Sequence, residues 1–312
     1  MACMIWVLYL YIDVAAIRNS FIPENDTNEL SLLSNEKVGL QANAAISAAS
    51  VNSSEPRKFD ITAIDLARLD DLVARYGANV SIFYKNIESG LTFTHNADQD
   101  YFGASLMKAP FAFWLYQKAD SGLIDLESTL NFNYSNKLMG SGIIRHNYLS
   151  GTDFTLRRLI GLNLYESDNT ATQMLHQAFG YYDFLRFVEN LGGLTSFWGY
   201  ALDSRATANQ MGTIMKAIFE YLESGNIFSN EFRQNLLNNQ FPFIISDYPV
   251  ASKTGWYDRF GGAWHDMSIV YAPSPYILVI LSSEKSGTAD DHQVYQNISL
   301  GFQEFNRINF DR

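Results

Sequence analysis

The sequence predicts an α+β fold: a five-stranded antiparallel sheet flanked by helices, with a second lobe made of helices alone. Three observations carry this. Apolar runs bounded by turn residues occur at residues 79–85 and 91–95, and again far downstream at 250–256, 264–272 and 276–282. The long stretch between the two groups has apolar residues at helical spacing and little strand signal. The turns Glu88-Ser89-Gly90 and Pro273-Ser274-Pro275 are hairpin-length, which requires antiparallel pairing.

In chain order, residues 1–12 are almost wholly apolar, Asp13 interrupts, and Val14 to Ile17 continue to Arg18. The run is short for a spanning helix, which needs about 20 apolar residues, and it lacks the basic head of a secretory signal. We read residues 1–18 as an export signal or membrane anchor; a buried strand or helix is the alternative. Residues 19–57 are rich in Asn, Ser, Glu and Ala without a sustained apolar period, as in a flexible tether. The functional domain is then 58–312, expected outside the cell membrane or secreted, and monomeric.

Within it, Leu66, Leu69, Leu72, Val73 and Tyr76 recur at helical spacing and Gly77 ends the helix. After the first two strands comes Gly103-Ala104-Ser105-Leu106-Met107-Lys108, followed by Phe111-Ala112-Phe113-Trp114-Leu115, too apolar for a solvated helix. Helical patterns follow at 155–162, 170–178, 182–191, 207–222 and 230–239. After the last three strands, Val294, Ile298, Phe302 and Phe305 share one face of a closing helix.

The chain has 312 residues, 47% of them hydrophobic, enough for a sizeable core, and a formal net charge of −11. That charge argues against nucleic-acid binding, which needs a basic face. Cys3 is the only cysteine, so no intrachain disulfide or cysteine cage forms. His95, His146, His176, His265 and His292 follow no metal-ligand pattern, and Gly140-Ser141-Gly142 lacks the third glycine of a dinucleotide fingerprint.

Ser105 and Lys108 stand three apart at a helix start and therefore share a face. A hydroxyl beside an amine is the minimum apparatus for an activated serine. The same spacing recurs at Ser34/Lys37 and Ser282/Lys285, neither of which opens a buried helix. Two further motifs occur: Ser167-Asp168-Asn169 before a helix and Lys253-Thr254-Gly255 on a strand. Alone, the first reads as a helix cap and the second as a strand end. Together and in this order, the three are the S-x-x-K, S-D-N and K-T-G set of penicillin-recognising enzymes.

On these residues the chain resembles the class A β-lactamase-like serine hydrolases, relatives of the D,D-peptidases, from about residue 59 to the C-terminus. Gly140-Ser141-Gly142, Thr155-Leu156-Arg157-Arg158-Leu159-Ile160 and Asn169-Thr170-Ala171-Thr172 support the likeness. The resemblance implies the β-lactamase/transpeptidase-like fold, with Ser105 as nucleophile. Lys108 is the base if burial and a second cation, Lys253, keep it neutral. Ser167 relays a proton to the leaving nitrogen, and Asn169 holds Lys108 and the substrate's side-chain amide. Lys253 and Thr254 suit a substrate carboxylate, and Gly255 lets substrate backbone lie along the strand. Backbone N–H groups of Ser105 and Trp256 form the oxyanion hole. No metal or organic cofactor is required.

One departure stands out. Class A enzymes carry a deacylating glutamate on an omega loop. The matching stretch, residues 195–205, has no glutamate and one aspartate, Asp203; Glu166 and Glu189 lie outside it. Three readings stay open: lactam hydrolysis, D,D-carboxypeptidase action on peptidoglycan stem peptides, and a non-catalytic sensor that remains acylated.

Overall fold

The computed structural model describes residues 59–192, 205–257, 262–283 and 289–311. Contacts divide the chain into Met1–Glu55 and Pro56–Arg312, and every described residue belongs to the second unit. The expected signal and tether, and the stretch before Arg205, lie outside the described residues. Among the described residues no helix is long and apolar enough to cross a membrane.

The apolar runs form one five-stranded antiparallel sheet. Its strands are β1 (Val80–Asn86), β2 (Thr92–His95), β3 (Val250–Tyr257), β4 (Ala263–Val270) and β5 (Tyr276–Ser282), in the order β2-β1-β5-β4-β3. Every residue of β4 and β5 is buried. Both faces of these strands are covered, so they read as near-continuous apolar runs. β3 is an edge strand, and its free side faces the site described below.

The sheet separates two cores. On one face, Ile82, Tyr84, Leu278 and Ile280 pack with Leu69 and Val73 of α1 (Ala67–Ala74) and with Ile298, Phe302 and Phe305 of α8 (Ala289–Asn309). On the other face, Phe83, Met267, Ile277 and Val279 join the helical lobe. That lobe contains α2 (Lys108–Asp120), α3 (Leu156–Tyr165), α4 (Asn169–Phe179), α5 (Tyr182–Asn190), α6 (Ala208–Leu222) and α7 (Ser229–Leu237). α6 lies against the sheet so closely that a Cβ on Gly212 would stand 2.3 Å from the Phe83 ring. α2 is buried from Lys108 through Tyr116, apolar all round as a central helix must be.

Two features differ from the sequence reading. The helix carrying Ser105 opens with a tighter 3₁₀ turn, Ala104–Met107, before α2 begins. Two short ribbons also appear: Tyr101–Phe102 with Arg205–Ala206, and Thr129–Asn131 with Asp153–Thr155. Pairs this short show no periodicity; only the partner reveals them.

Candidate active site

The site forms where the 3₁₀ turn ahead of α2, the start of α4 and edge strand β3 meet. In a 3₁₀ turn, side chains three apart eclipse one another, which sets Ser105 and Lys108 one above the other. Ala104, just before the serine, has φ +46°. A left-handed alanine costs about 1–2 kcal/mol, so tertiary contacts must hold it. Strand β3 supplies one: a Cβ on Gly255 would lie 2.9 Å from Gly103 O and 3.1 Å from Leu106 N. The absence of a side chain at Gly255 lets the serine turn close against the strand.

Lys108 is buried. Its Nζ donates to Ser167 O at 2.5 Å, Ser167 Oγ at 3.1 Å and Asn169 Oδ1 at 2.6 Å. Lys253, fully buried, donates to Ser167 Oγ at 3.1 Å and to Thr254 O at 2.8 Å. Both ammonium groups thus converge on one hydroxyl. Ser105 is half-buried in the Ala104–Met107 turn, one turn ahead of Lys108.

Electrostatics follow from burial. Desolvation drives Lys108 well below the ordinary lysine range and Lys253 pushes it further, while Asp168 partly opposes this. Lys253 is also lowered by burial, against the pull of buried Asp266, whose own pKa burial raises. The result is an amine that sheds its proton readily beside a second cation.

Asp168 is structural. Its Oδ1 accepts from Thr170 N at 2.8 Å and Ala171 N at 3.0 Å, capping α4. Its Oδ2 accepts from Ile143 N at 2.7 Å and Ile144 N at 2.8 Å. The cap reading of this motif thus holds for Asp168, while Ser167 and Asn169 face the lysines. Ser167 has φ +51°, which turns its hydroxyl toward the lysines. Asn169 donates one N–H to Met139 O at 2.7 Å while its Oδ1 accepts from Lys108.

Thr254 is less available than expected. Its hydroxyl gives its single proton to Phe241 O at 2.7 Å and accepts from Asn239 Nδ2 at 2.9 Å. A substrate carboxylate has to displace the Phe241 carbonyl to use it. Trp256 follows Gly255 on β3, 48% exposed and stacked on buried Trp264 at 5.5 Å, while Tyr257 packs on Phe102.

The sequence does not single out Asn163, and it offers Gly140-Ser141-Gly142 only as support for the likeness. Asn163 donates to Lys108 O at 3.1 Å and accepts from Thr172 Oγ1 at 2.8 Å. Ser141 donates to Ser167 O at 2.7 Å. Gly140 and Gly142, with φ +101° and +115°, carry this loop over the S-D-N motif. A Cβ on Gly142 would lie 2.2 Å from Asp168 Cγ. The Gly-x-Gly spacing was the available signal, and its use is close approach to protein rather than to phosphate. Glu166 accepts from Gln240 Nε2 at 2.7 Å, and Glu189 is exposed on α5. Asp203 lies outside the described residues. Among the described residues no three His, Cys, Asp or Glu side chains cluster to hold a metal.

A sequence model described as the Beta-lactamase enzyme family matches residues 66–301. No curated protein matches the chain. Among solved structures, a β-lactamase from Sphaerobacter thermophilus aligns at TM-score 0.69 and 22% identity, covering 78% of this chain and 98% of its own. A β-lactamase from Chitinophaga pinensis aligns at TM-score 0.66 and 20% identity, covering 76% and 97%. A PBP-A mutant, as an acyl-enzyme complex with penicillin G, aligns at TM-score 0.65 and 19% identity, covering 76% and 96%.

Proposed function

The chain belongs to the Beta-lactamase enzyme family, and from that premise we propose that it is a serine acyl-hydrolase acylated on Ser105 by β-lactams or related amides. The observation that carries the reading is the approach of Lys108 and Lys253 to the one hydroxyl of Ser167, each at 3.1 Å. Neutral Lys108 takes the Ser105 proton as Ser105 Oγ bonds to the carbonyl carbon. The oxyanion receives N–H donors from Ser105, in a helix's first turn where donors lack intrahelical partners, and from Trp256 on the edge strand. Removing one such donor typically costs about 10²–10³ in rate. As the C–N bond breaks, Ser167 gives its proton to the leaving nitrogen and regains one from the lysine side.

The glutamate-free stretch at 195–205 favours slow deacylation, so the acyl-enzyme accumulates. The acyl-enzyme of PBP-A with penicillin G supports the same chemistry on this fold. Peptidoglycan stem peptides are the second substrate class on this reading, and the apolar head at residues 1–18 supports action outside the cell membrane.

Nitrocefin turnover and labelled-penicillin attachment, compared in wild type and Ser105→Ala, test the proposal. We expect a burst and covalent label in wild type and neither in the variant. Folded wild type that takes no label refutes it.

A further inference from the structure

One buried group beside the site is unused by this mechanism. His265 lies on β4 opposite Gly255 of β3, with no exposed surface. The backbone N–H of Ser282 points to its Nδ1 at 3.2 Å. A backbone N–H only donates, so Nδ1 is the bare nitrogen and Nε2 carries the proton. Nε2–H then donates to Phe102 O at 2.8 Å. Burial holds the imidazole pKa down at about 4, which keeps it in this neutral form.

Phe102 lies three residues ahead of Ser105, at the entrance to the left-handed turn. The stretch just before it is also tied down. Ser81 Oγ donates its only proton to Asn96 O at 2.6 Å, so Tyr101 OH is the donor to Ser81 Oγ at 3.0 Å. The Tyr101 ring meets His265 edge-on at 5.6 Å. The turn then closes with Leu106 N donating to Gly103 O at 3.1 Å. Ala104, at φ +46°, persists only because its surroundings over-determine it. The close pass of Gly255 at Gly103 is one anchor, and the imidazole at Phe102 is the other.

We propose that His265 is a positioning residue for acylation: its Nε2–H holds the Phe102 carbonyl, and through it the turn that presents the Ser105 hydroxyl. This rests on the serine-acylation reading above, and the test separates the two. In the full chain, His265→Phe fills the ring's volume without a donor, and His265→Gln restores an N–H that reaches Phe102. Two quantities are measured: hydrogen exchange of the Leu106 amide, and the concentration dependence of labelled-penicillin acylation.

For His265→Phe we expect about tenfold faster exchange and a maximal acylation rate about 10–100-fold lower. The half-saturating concentration stays within about twofold, because ground-state binding is untouched. His265→Gln should return both rates to within about threefold of wild type. Should His265→Phe not fold, His265→Asn, whose amide is too short to reach Phe102, makes the same comparison. Unchanged exchange, a loss confined to half-saturation, or equal impairment of the Gln and Phe variants overturns the proposal. Wild type that takes no label refutes the acylation reading instead, and the exchange comparison then decides whether His265 holds the turn.

Discussion

Gly255→Ala tests how the serine turn is seated. The added Cβ would stand 2.9 Å from Gly103 O and 3.1 Å from Leu106 N and Cγ. Ordinary contact begins near 3.4 Å, so the turn must retreat by roughly 0.3–0.5 Å. Two of those three atoms are backbone, so no side chain can swing away to absorb the clash. Overpacking of this kind costs about 1–3 kcal/mol. If that strain falls on the placement of Ser105, each 1.36 kcal/mol is about tenfold in rate. We expect acylation by labelled penicillin to slow by about 10–100-fold with the fold retained. Gly212→Ala is the control: its Cβ meets the Phe83 ring at 2.3 Å, between α6 and β1. It should lower the melting temperature while folded protein acylates at the wild-type rate. Gly255→Ala protein that acylates within about twofold of wild type at unchanged stability refutes the reasoning.

Two further outcomes follow from the same geometry. Lys253 lowers the Lys108 pKa by its charge, and acylation needs neutral Lys108, so the rate falls as pH drops through that pKa. Lys253→Gln removes the neighbouring cation, raises the Lys108 pKa and moves this acid limb to higher pH; a limb that stays or moves down counts against Lys108 as base. Asp168→Ala strips acceptors from four backbone N–H groups. Each buried orphan costs about 1–3 kcal/mol, so chemical denaturation should register a loss of about 3 kcal/mol or more. A loss below about 1 kcal/mol is incompatible with the four bonds.

Much of the molecule was legible before any coordinates. Strands β4 and β5 could be read because both faces are covered, which writes an uninterrupted apolar run. α2 could be read because its apolar residues leave no solvated face. The motifs were legible because Ser105 and Lys108 lie one turn apart and Ser167, Asp168 and Asn169 are consecutive, a relation of neighbours. The roles inside the motifs were less so: Asp168 caps a helix and pins a loop, Thr254 hands its proton to Phe241, and Gly255 admits the close pass of Gly103.

The elements, their order and the chemical groups on offer are written in the chain, because these depend on side-chain period and on contacts within a turn. Tertiary structure alone decided that Lys108 and Lys253 reach the same hydroxyl, that both are deep enough to lose their ordinary basicity, and that His265 and Gly255 bear on the serine turn. The physical reason is range. Sheet register and layer packing bring residue 253 to residue 167 and residue 265 to residue 102, and the dielectric around a charge is set by every layer above it.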